Sequence, residues 1–337
     1  MSETVNLSLS EARELSLAAL DAHGADSANA EAVTQIMLRA EQDRCASHGL
    51  FRLPGYCASL RSGKVNGSAS PKLHDIAPGI LRVDGDGGFA PLALDTGLPA
   101  LAERARSQGI AALGLVDIYH FAALWPEVET LAEAGLSALA FTQASPMVAP
   151  TGGTRPFFGT NPMAFSWPRP GKDPYVFDQA SAAMARGDVM IHARDGKKVP
   201  IGTGIDANGN PTEDPNEVLK GAQLPFGGYK GSNIAMMIEL LAGGLIGSVF
   251  SFEAGRQDNQ DGGPPIGGEI IVAMDPSRFG DAENWAAHCE QLFAAATAMD
   301  GVRLPGQRRR RARLETPESG IELARSLYET VTELAGR

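Results

Sequence analysis

Residues 110–121, which read IAALGLVDIYHF, decide how the fold of this chain is interpreted. Ile110 to Val116 form an apolar run of the kind found in strands that are buried on both faces of a sheet. The run leads to His120, at a position after a strand where ligand-binding loops often lie. The stretch therefore predicts a central buried strand with a candidate functional histidine near its end.

The segments on both sides of this strand alternate between helix and strand patterns. The predicted elements, in chain order, are a strand over 80–83, a helix over 92–107, the central strand, a helix over 121–134, and strands over 136–142, 163–166, 175–177, 189–194 and 269–274. Residues 146–162 form a long Gly/Pro-rich segment, and such a segment inside a compact domain is often functional.

Helical patterns dominate both ends of the chain. Ser8 and Glu11 have the spacing of a capping box, ahead of an apolar periodic helix that ends near His23. The other predicted terminal helices lie over about 29–44, through Tyr56 and Leu60, over 282–299 and over 318–334. Helices at both ends with strands between them predict a terminal helical layer around a mixed-sheet domain.

The composition narrows the class of protein. A formal net charge of −11 argues against a broad surface for nucleic acid or an anionic membrane. The most apolar stretch, 234–250, is interrupted by Glu239 and several glycines, so we expect a buried helix and not a membrane span. The N-terminus has no pattern of a secretory signal, and three cysteines show no metal-ligand spacing. We therefore expect a reduced, cytoplasmic protein without a metal site.

The strongest candidate for chemistry is the segment around His48. Histidine exchanges protons near neutral pH, and Ser47 is placed to orient the imidazole. Gly49 allows a ligand to approach the backbone, and Arg52 lies about one helical turn beyond His48. An arginine there is suited to hold a substrate carboxylate while the histidine reaches the reacting atom. A helix C-terminal cap beside a solvated arginine is the alternative interpretation.

The usual cofactor signatures are absent from the sequence. No GxGxxG motif follows a predicted strand, and there is no Walker loop, HExxH motif or serine nucleophile elbow. The basic run over 307–313 is either a solvated loop or a phosphate pocket suited to the 2′-phosphate of NADPH. Without interleaved aromatic residues, the run is a weak signal for nucleic acid.

Several motifs occur in one order along the chain: SHGLFRLPGY from residue 47, RVDGDGG from 82, FGTNPMAFSWP from 158, VFDQASAAMARGD from 176, DANGNPTEDP from 206, LPFGGYKGSNIAMMIELLAG from 224 and RLPGQ from 303. Together they resemble the malate/L-lactate dehydrogenase family that lacks a Rossmann fold. Within it the chain is most similar to the branch that reduces Δ1-piperideine-2-carboxylate and Δ1-pyrroline-2-carboxylate. The resemblance runs from about residue 5 to the C-terminus.

The resemblance implies a fold and a domain arrangement. It implies an α/β protein with a mixed, largely antiparallel cofactor-binding sheet, a helical domain built from both termini, and a homodimer. We expect residues 1–72 and 281–337 to form the helical domain, with the substrate side and the dimer contacts. Residues 73–280 are then the NADPH-binding sheet domain, with a small Gly/Pro-rich subregion near 195–225.

The resemblance also implies roles for individual residues. Ser47 and His48 match the catalytic pair, with His48 protonating the substrate nitrogen, whereas Arg52 and Thr160 match substrate-binding positions. The residues that match cofactor-binding positions are His120, Phe121, Ala122, Ala123, Leu124, Asp178, Gln179, Ala180, Tyr229, Lys230, Leu304, Pro305, Gly306, Gln307, Arg308, Arg309 and Arg310. Arg308 or Arg310 is expected near the 2′-phosphate of NADPH.

Three positions depart from the dehydrogenases of the family and favour an imine substrate. Ala122 stands where those enzymes usually have glycine, Gln143 where they tend to have asparagine, and Asp188 where they often have lysine. An aspartate supports a charged histidine and a lysine opposes it. We therefore expect a Ser47–His48–Asp188 relay, although Asp188 is also suited to a turn before the strand predicted from Val189.

These observations predict NADPH-dependent reduction of cyclic imino acids, giving L-pipecolate and L-proline. The first alternative is an NAD(P)-dependent 2-hydroxy acid dehydrogenase that acts on malate or lactate. A remote alternative is a non-catalytic binder of anions or nucleic acid that uses residues 307–313.

Overall fold

The central run becomes one strand of a seven-stranded sheet in the computed structural model, which describes residues 3–337. The strands of the described chain are β1 Thr4–Leu7, β2 Lys72–Ala77, β3 Ile80–Phe89, β4 Ile110–Tyr119, β5 Ser137–Thr142, β6 Met163–Trp167, β7 Tyr175–Gln179, β8 Gly204–Ile205, β9 Pro211–Thr212, β10 Ala222–Gln223, β11 Ile266–Met274 and β12 Ile321–Ala324.

The α-helices are α1 Leu9–Ala22, α2 Ser27–Gln42, α3 Leu53–Arg61, α4 Ala90–Gln108, α5 Trp125–Glu133, α6 Arg186–Arg194, α7 Pro215–Lys220, α8 Tyr229–Ile238, α9 Ser251–Gln257, α10 Trp285–Thr297, α11 Gln307–Ser319 and α12 Arg325–Leu334. Short 3-10 helices cover Ala46–His48, Leu50–Arg52 and Pro276–Arg278, and a π-helix over Glu239–Leu245 continues α8. No helix of residues 3–337 has the combination of length and apolar character needed to cross a membrane.

The seven-stranded sheet is mixed and largely antiparallel, as the resemblance implies. Its order is β2-β3-β4-β11-β5-β6-β7. Only β3 and β4 run parallel, because α4 crosses over between them; the other neighbours are antiparallel. The predicted fold class is confirmed.

The main core lies where α4 and α5 cover this sheet. Fully buried leucines come from both layers, including Leu101 of α4, Leu113 and Leu115 of β4, and Leu131 of α5. Gly97 of α4 lies so close to β4 that an added β-carbon would be 2.6 Å from the Leu113 side chain. This close contact fixes α4 against the strand and so fixes where β4 ends.

The two ends of the chain meet in a helical layer. β1 pairs with β12 in a separate antiparallel two-stranded sheet, and α1, α2, α3 and α12 pack around one shared core. The predicted capping box opens α1, with Ser8 and Glu11 bonding each other's backbone. α10 lies instead beside β7, where Phe293 stacks on Tyr175 and Glu290 pairs with Arg169. The domain bounds given above stay a prediction.

Four sequence-based expectations about local structure are wrong. Residues 189–194 are not a strand but part of α6, whose Val189 packs on Val199 and Val218. Residues 121–124 form a loop, since Asp178 binds the N–H groups of Leu124 and Trp125 and α5 begins only there.

The other two corrections concern apparently simple patterns. Residues 307–313 begin α11 and are not a loop, and the helix predicted over 318–334 is broken because Gly320 precedes β12. The expectation for 234–250 is right only in part: residues 234–245 are helical, but Met236, Leu240 and Leu245 are exposed. A face of apolar side chains remains in solvent there.

Helix α11 is held to α2 and α5 by buried ion pairs. Arg313 donates to both oxygens of Asp43 at 2.7 Å and to Glu129 at 2.8 Å. Both carboxylates are buried, and Glu129 is also paired with Arg39 and Arg310. Burial opposes the charge of Glu129, but the arginines outweigh it and lower the pKa of Glu129. Acids thus neutralise three of the five arginines in the run, and two of these, Arg310 and Arg313, pair with acids that are distant in the sequence.

We expect Arg313→Ala to lower the free energy of unfolding by about 3 kcal/mol, because Asp43 is left buried without its cation. Urea unfolding followed by circular dichroism measures the change. Arg311→Ala is the matched control on the same helix, since Arg311 pairs only with exposed Glu315, and it should unfold like the parent. Equal losses in the two variants would contradict the assignment.

Candidate active site

Ser47, His48 and Arg52 lie on two consecutive 3-10 helices between α2 and α3. The Oγ of Ser47 is 3.1 Å from Nδ1 of His48, and the Nε of Arg52 donates to the carbonyl of Ser47 at 2.7 Å. Gly49 is required for this turn, because a β-carbon there would collide with the Glu41 carboxyl. The close approach predicted for Gly49 is therefore made to Glu41, which accepts from Leu50 N–H at 2.7 Å.

Arg52 is a partly buried cation without a carboxylate partner among residues 3–337. Its guanidinium lies 4.3 Å from the centre of the Phe121 ring, and burial lowers the pKa of Arg52. A buried charge normally has a partner, since removing an unpaired charge from water is costly. An anion that enters this site would supply that partner.

His48 is neutral in this environment. Burial lowers the pKa of His48 to about 3, and the nearby charges of Arg52 and His120 act in the same direction. Asp188 lies in the first turn of α6, exposed, and its side chain makes no hydrogen bond to Ser47 or His48. Gly187 next to it does abut Ser47, with an ideal β-carbon 3.1 Å from that of Ser47. The structure thus brings Ser47 and His48 together, and a relay through Asp188 stays a prediction.

Two of the predicted cofactor segments adjoin. The Oδ2 of Asp178, at the end of β7, accepts from Leu124 N–H at 2.9 Å and from Trp125 N–H at 3.2 Å. Burial raises the pKa of Asp178 to about 6. Trp125 then connects this region to the catalytic pair and to the C-terminal segment: its ring meets His48 edge-on at 6.2 Å, and Arg309 lies over it at 5.0 Å.

Thr160 is held between strand β7 and helix α8. Its carbonyl accepts from Ser181 N–H at 2.8 Å, and the next residue, Asn161, is fully buried in a left-handed conformation (φ 37°). Asn161 donates to Glu239 at 2.8 Å and accepts on its carbonyl from Ser181 Oγ at 2.7 Å. Asn161 and Glu239 were not predicted as site residues, although an acid in the apolar stretch 234–250 was a signal.

Tyr229 and Lys230 open helix α8 and are exposed. Gly227 and Gly228 precede them with φ values of 56° and 62°, conformations that glycine adopts without strain. The glycine turn itself accepts the first N–H groups of the helix: Gly231 N–H donates to the Phe226 carbonyl at 2.9 Å and Ser232 N–H to the Gly228 carbonyl at 3.1 Å. Phe226 N–H donates to Ser181 at 2.9 Å, so this turn lies beside the 178–180 segment.

The C-terminal segment 304–310 borders a cavity of about 200 Å³. Its lining residues are Arg169, Lys172, Asp173, Pro174, Leu304, Pro305, Gln307 and Arg310. Gly306 has a φ of 88° and begins α11 beside the cavity. The cations that line the cavity are already paired with acids: Arg169 and Lys172 with Glu290, and Arg310 with Asp173.

The arginines of this segment differ in what they already bind. Arg310 pairs with Glu129, Glu133 and Asp173, and Arg309 donates to the carbonyl of Val176. Arg308 is exposed and makes no hydrogen bond or ion pair within residues 3–337. Of the two residues predicted near a 2′-phosphate, Arg308 is therefore the one with its donors unused.

Beside His120 the structure reveals two acids that the sequence analysis missed. The Nε2 of His120 is 3.4 Å from Glu269 of β11 and 3.7 Å from Glu127 of α5, and all three side chains are buried. Sequence alone offered one signal: Glu269 interrupts an otherwise apolar strand. Glu127 resembled an ordinary acid in the first turn of a helix.

Comparison with known proteins agrees with this geometry. The family model described as malate/L-lactate dehydrogenase matches residues 7–332. A Δ1-pyrroline-2-carboxylate/Δ1-piperideine-2-carboxylate reductase of Pseudomonas aeruginosa is 48% identical, covering 98% of this chain and 99% of that protein. A Δ1-pyrroline-2-carboxylate reductase of Ancylobacter novellus is also 48% identical, over 100% and 99% of the two chains.

Solved structures give the same result for the fold. The Δ1-piperideine-2-carboxylate reductase from Pseudomonas syringae pv. tomato superposes with a TM-score of 0.93 at 41% identity, covering 98% of this chain and 99% of that one. A malate/lactate dehydrogenase structure from E. coli has a TM-score of 0.91 at 27% identity, over 98% and 95% of the two chains. The resemblance seen in the ordered motifs is confirmed: this chain is an oxidoreductase and belongs to the malate/L-lactate dehydrogenase family.

Proposed function

We propose that this oxidoreductase uses NADPH to reduce cyclic imino acids, Δ1-piperideine-2-carboxylate to L-pipecolate and Δ1-pyrroline-2-carboxylate to L-proline. The observation that carries the proposal is the partly buried guanidinium of Arg52, which has no carboxylate partner within residues 3–337 and lies beside the Ser47–His48 pair. It suits a small substrate whose carboxylate lies one bond from the reacting carbon. The names of the relatives at 48% identity support the imine class over a keto acid.

Arg52 binds the carboxylate in this proposal, and His48 faces the ring nitrogen. Bound NADPH supplies a hydride to C2. The low pKa of His48 makes its protonated form a strong acid, so it gives a proton readily once it holds one. Substrate carboxylate at Arg52 offsets one of the charges that keep His48 neutral. Asp188, which follows Gly187 against Ser47, stays the proposed third member of the relay.

The cofactor is proposed to lie across the segments 120–124, 178–180, 229–230 and 304–310. The exposed ammonium of Lys230, in the first turn of α8, suits the pyrophosphate. Arg308, with its donors unused, is suited to the 2′-phosphate that distinguishes NADPH from NADH.

We also propose a cytoplasmic homodimer. Met236, Met237, Leu240 and Leu245 expose apolar side chains along α8 and the π-helix that follows it. Contiguous apolar surface of this kind is typical of a protein interface, and a second copy of the same chain is the commonest partner. Cys45, Cys57 and Cys289 are free thiols, which agrees with a reducing compartment.

The substrate class is tested by NADPH oxidation at 340 nm with the two cyclic imino acids, pyruvate and oxaloacetate. We expect kcat/KM for an imino acid to exceed that for either keto acid by about a hundredfold or more, since the proton must reach nitrogen. Rapid turnover of oxaloacetate with none of the imines would instead assign a 2-hydroxy acid dehydrogenase.

His48→Ala should lower kcat for the imine by about 10²- to 10⁴-fold, the usual contribution of a positioned acid. NADPH binding, followed by cofactor fluorescence, should stay near the parent value. His74→Ala serves as a control, because His74 is exposed on β2. Retained turnover in His48→Ala would remove the histidine from the mechanism.

Arg308→Ala should raise KM for NADPH by about 10- to 100-fold, because one charge-assisted contact to phosphate is lost. KM for NADH should change less than twofold. Arg310→Ala is the comparison: it breaks three ion pairs, so we expect lower thermal stability with a smaller effect on cofactor choice. An equal loss for NADPH and NADH in Arg308→Ala would exclude a 2′-phosphate contact.

A further inference from the structure

His120, Glu127 and Glu269 form a buried cluster that the proposed roles leave unexplained. The Nε2 of His120 points between the two carboxyl groups at 3.4 and 3.7 Å, and the three side chains are 6%, 2% and 0% exposed. Neither these four carboxyl oxygens nor the Nε2 has a hydrogen-bond partner within residues 3–337. Such atoms are rarely left unpartnered in a folded protein unless they have a function.

The cost of burying net charge limits the protonation state of the cluster. Two ionised carboxylates and a neutral imidazole would carry two buried negative charges, which is costly in a medium of low dielectric constant. A charged imidazole, one carboxylate and one protonated carboxyl are electrically neutral together. The geometry therefore favours a cluster that holds two protons at neutral pH.

The cluster lies next to the proposed substrate site. Phe121, the residue after His120, carries the Arg52 guanidinium on its ring. Trp125, two residues before Glu127, meets the His48 ring edge-on. The cluster is thus next in the chain to Phe121, which contacts Arg52, and to Trp125, which contacts His48.

We propose that His120, Glu127 and Glu269 are a buried proton store that charges His48 when the substrate carboxylate binds Arg52. Glu127 and Glu269 are positioning residues, since they act through His120. The proposal rests on the proposed imine reductase function and adds the source of its proton.

The proton transfer balances as follows. In the proposed step the imidazolium of His120 releases a proton through intervening water, the neutral His48 imidazole takes one up, and the positive charge moves from His120 to His48. His48 gives that proton to the substrate nitrogen, as the hydride adds to C2 and the C=N π electrons become the nitrogen lone pair. His120 then takes a proton from the Glu269 carboxyl, and solvent returns one to the cluster.

The charged groups around the cluster also favour protonation of His120 and Glu269. Burial opposes the charge on His120, but the adjacent acids outweigh it and raise the pKa of His120. Burial also raises the pKa of Glu269. The titratable groups that influence the cluster are Glu127 and Glu269 themselves, Asp178 of β7, and Tyr56 of α3, which lies near Glu127; His48 and Arg52 lie on the substrate side.

Substrate binding is what releases the proton. Arg52 and the charged His120 both hold His48 in its neutral form. A carboxylate on Arg52 cancels the first charge, and departure of the proton from His120 removes the second. The proton therefore stays in the store while the site is empty, and moves only in the complex.

The test compares the pH dependence of kcat for Glu127→Gln, Glu269→Gln and the double variant in the full-length enzyme with NADPH and the cyclic imine. Loss of an acid lowers the pKa of His120, so the fall of kcat on the alkaline side should move to lower pH. We expect a shift of about one unit for each single variant and about two for the double, which is about a tenfold and a hundredfold loss at pH 8. Glu129→Gln is the control: Glu129 is buried on the same helix but pairs with arginines, so it should reduce stability without moving the profile.

A second measurement does not depend on turnover or on the glutamate variants. The imidazole nitrogens of His120, assigned by NMR with a His120→Asn sample, should report a charged ring in the parent enzyme at pH 7. Addition of NADP⁺ and pyrrole-2-carboxylate, a planar carboxylate, should lower the pH at which His120 loses its proton. If the enzyme reduces no imine while His120 still behaves in this way, the proposed function fails and the store stands.

Three outcomes would overturn the proposal. A neutral His120 at pH 7 excludes a stored proton, and unchanged pH profiles in the double variant exclude its use. Stoichiometric metal in the purified enzyme that is lost in Glu269→Gln would make the cluster a cation site, since the donor atoms of its three side chains lie within 4.8 Å of one another.

Discussion

Burial of β4 on both faces is the constraint on which the rest of the structure depends. β4 pairs with β3 on one side and with β11 on the other, and α4 covers it closely enough to require Gly97. The strand has no freedom to shift without displacing apolar side chains from the core. The residues at its end, His120 and Phe121, are therefore placed by the sheet as a whole, beside a strand that brings Glu269 and a helix that brings Glu127.

Much of this arrangement was accessible from the sequence because it depends on local patterns. The apolar run of β4 and the capping box of α1 each encode their structure within a few residues. The Ser47–His48–Arg52 spacing likewise predicted a pair that the structure shows hydrogen-bonded. The order of the strands could not be predicted in this way. No local signal indicates that β11 inserts between β4 and β5, and only the family resemblance predicted an antiparallel sheet.

The failures share a physical cause, which is contact with distant residues. α6 has a strand-like composition, yet Val189 is buried against Val199 and Val218, and this packing decides in favour of a helix. The basic run was interpreted as loop or pocket because its acids, Asp43 and Glu129, lie far away in the chain. Pairing of Arg313 and Arg310 with these acids removes much of the free charge of the run. Of Arg308 and Arg310, the two residues expected near the 2′-phosphate, only Arg308 keeps its donors available.

The same dependence on distant partners governs the chemistry of His48. An imidazole beside an arginine has the composition of an acid site, but burial lowers the pKa of His48 to about 3, and the charge of Arg52 acts in the same direction. In the proposed mechanism, His48 must gain a proton before it can donate one, and Arg52 must gain an anion. One substrate carboxylate supplies the missing anion and, by the same charge, makes protonation of His48 easier. Under that proposal, binding and protonation become a single electrostatic event that an acidic substrate starts.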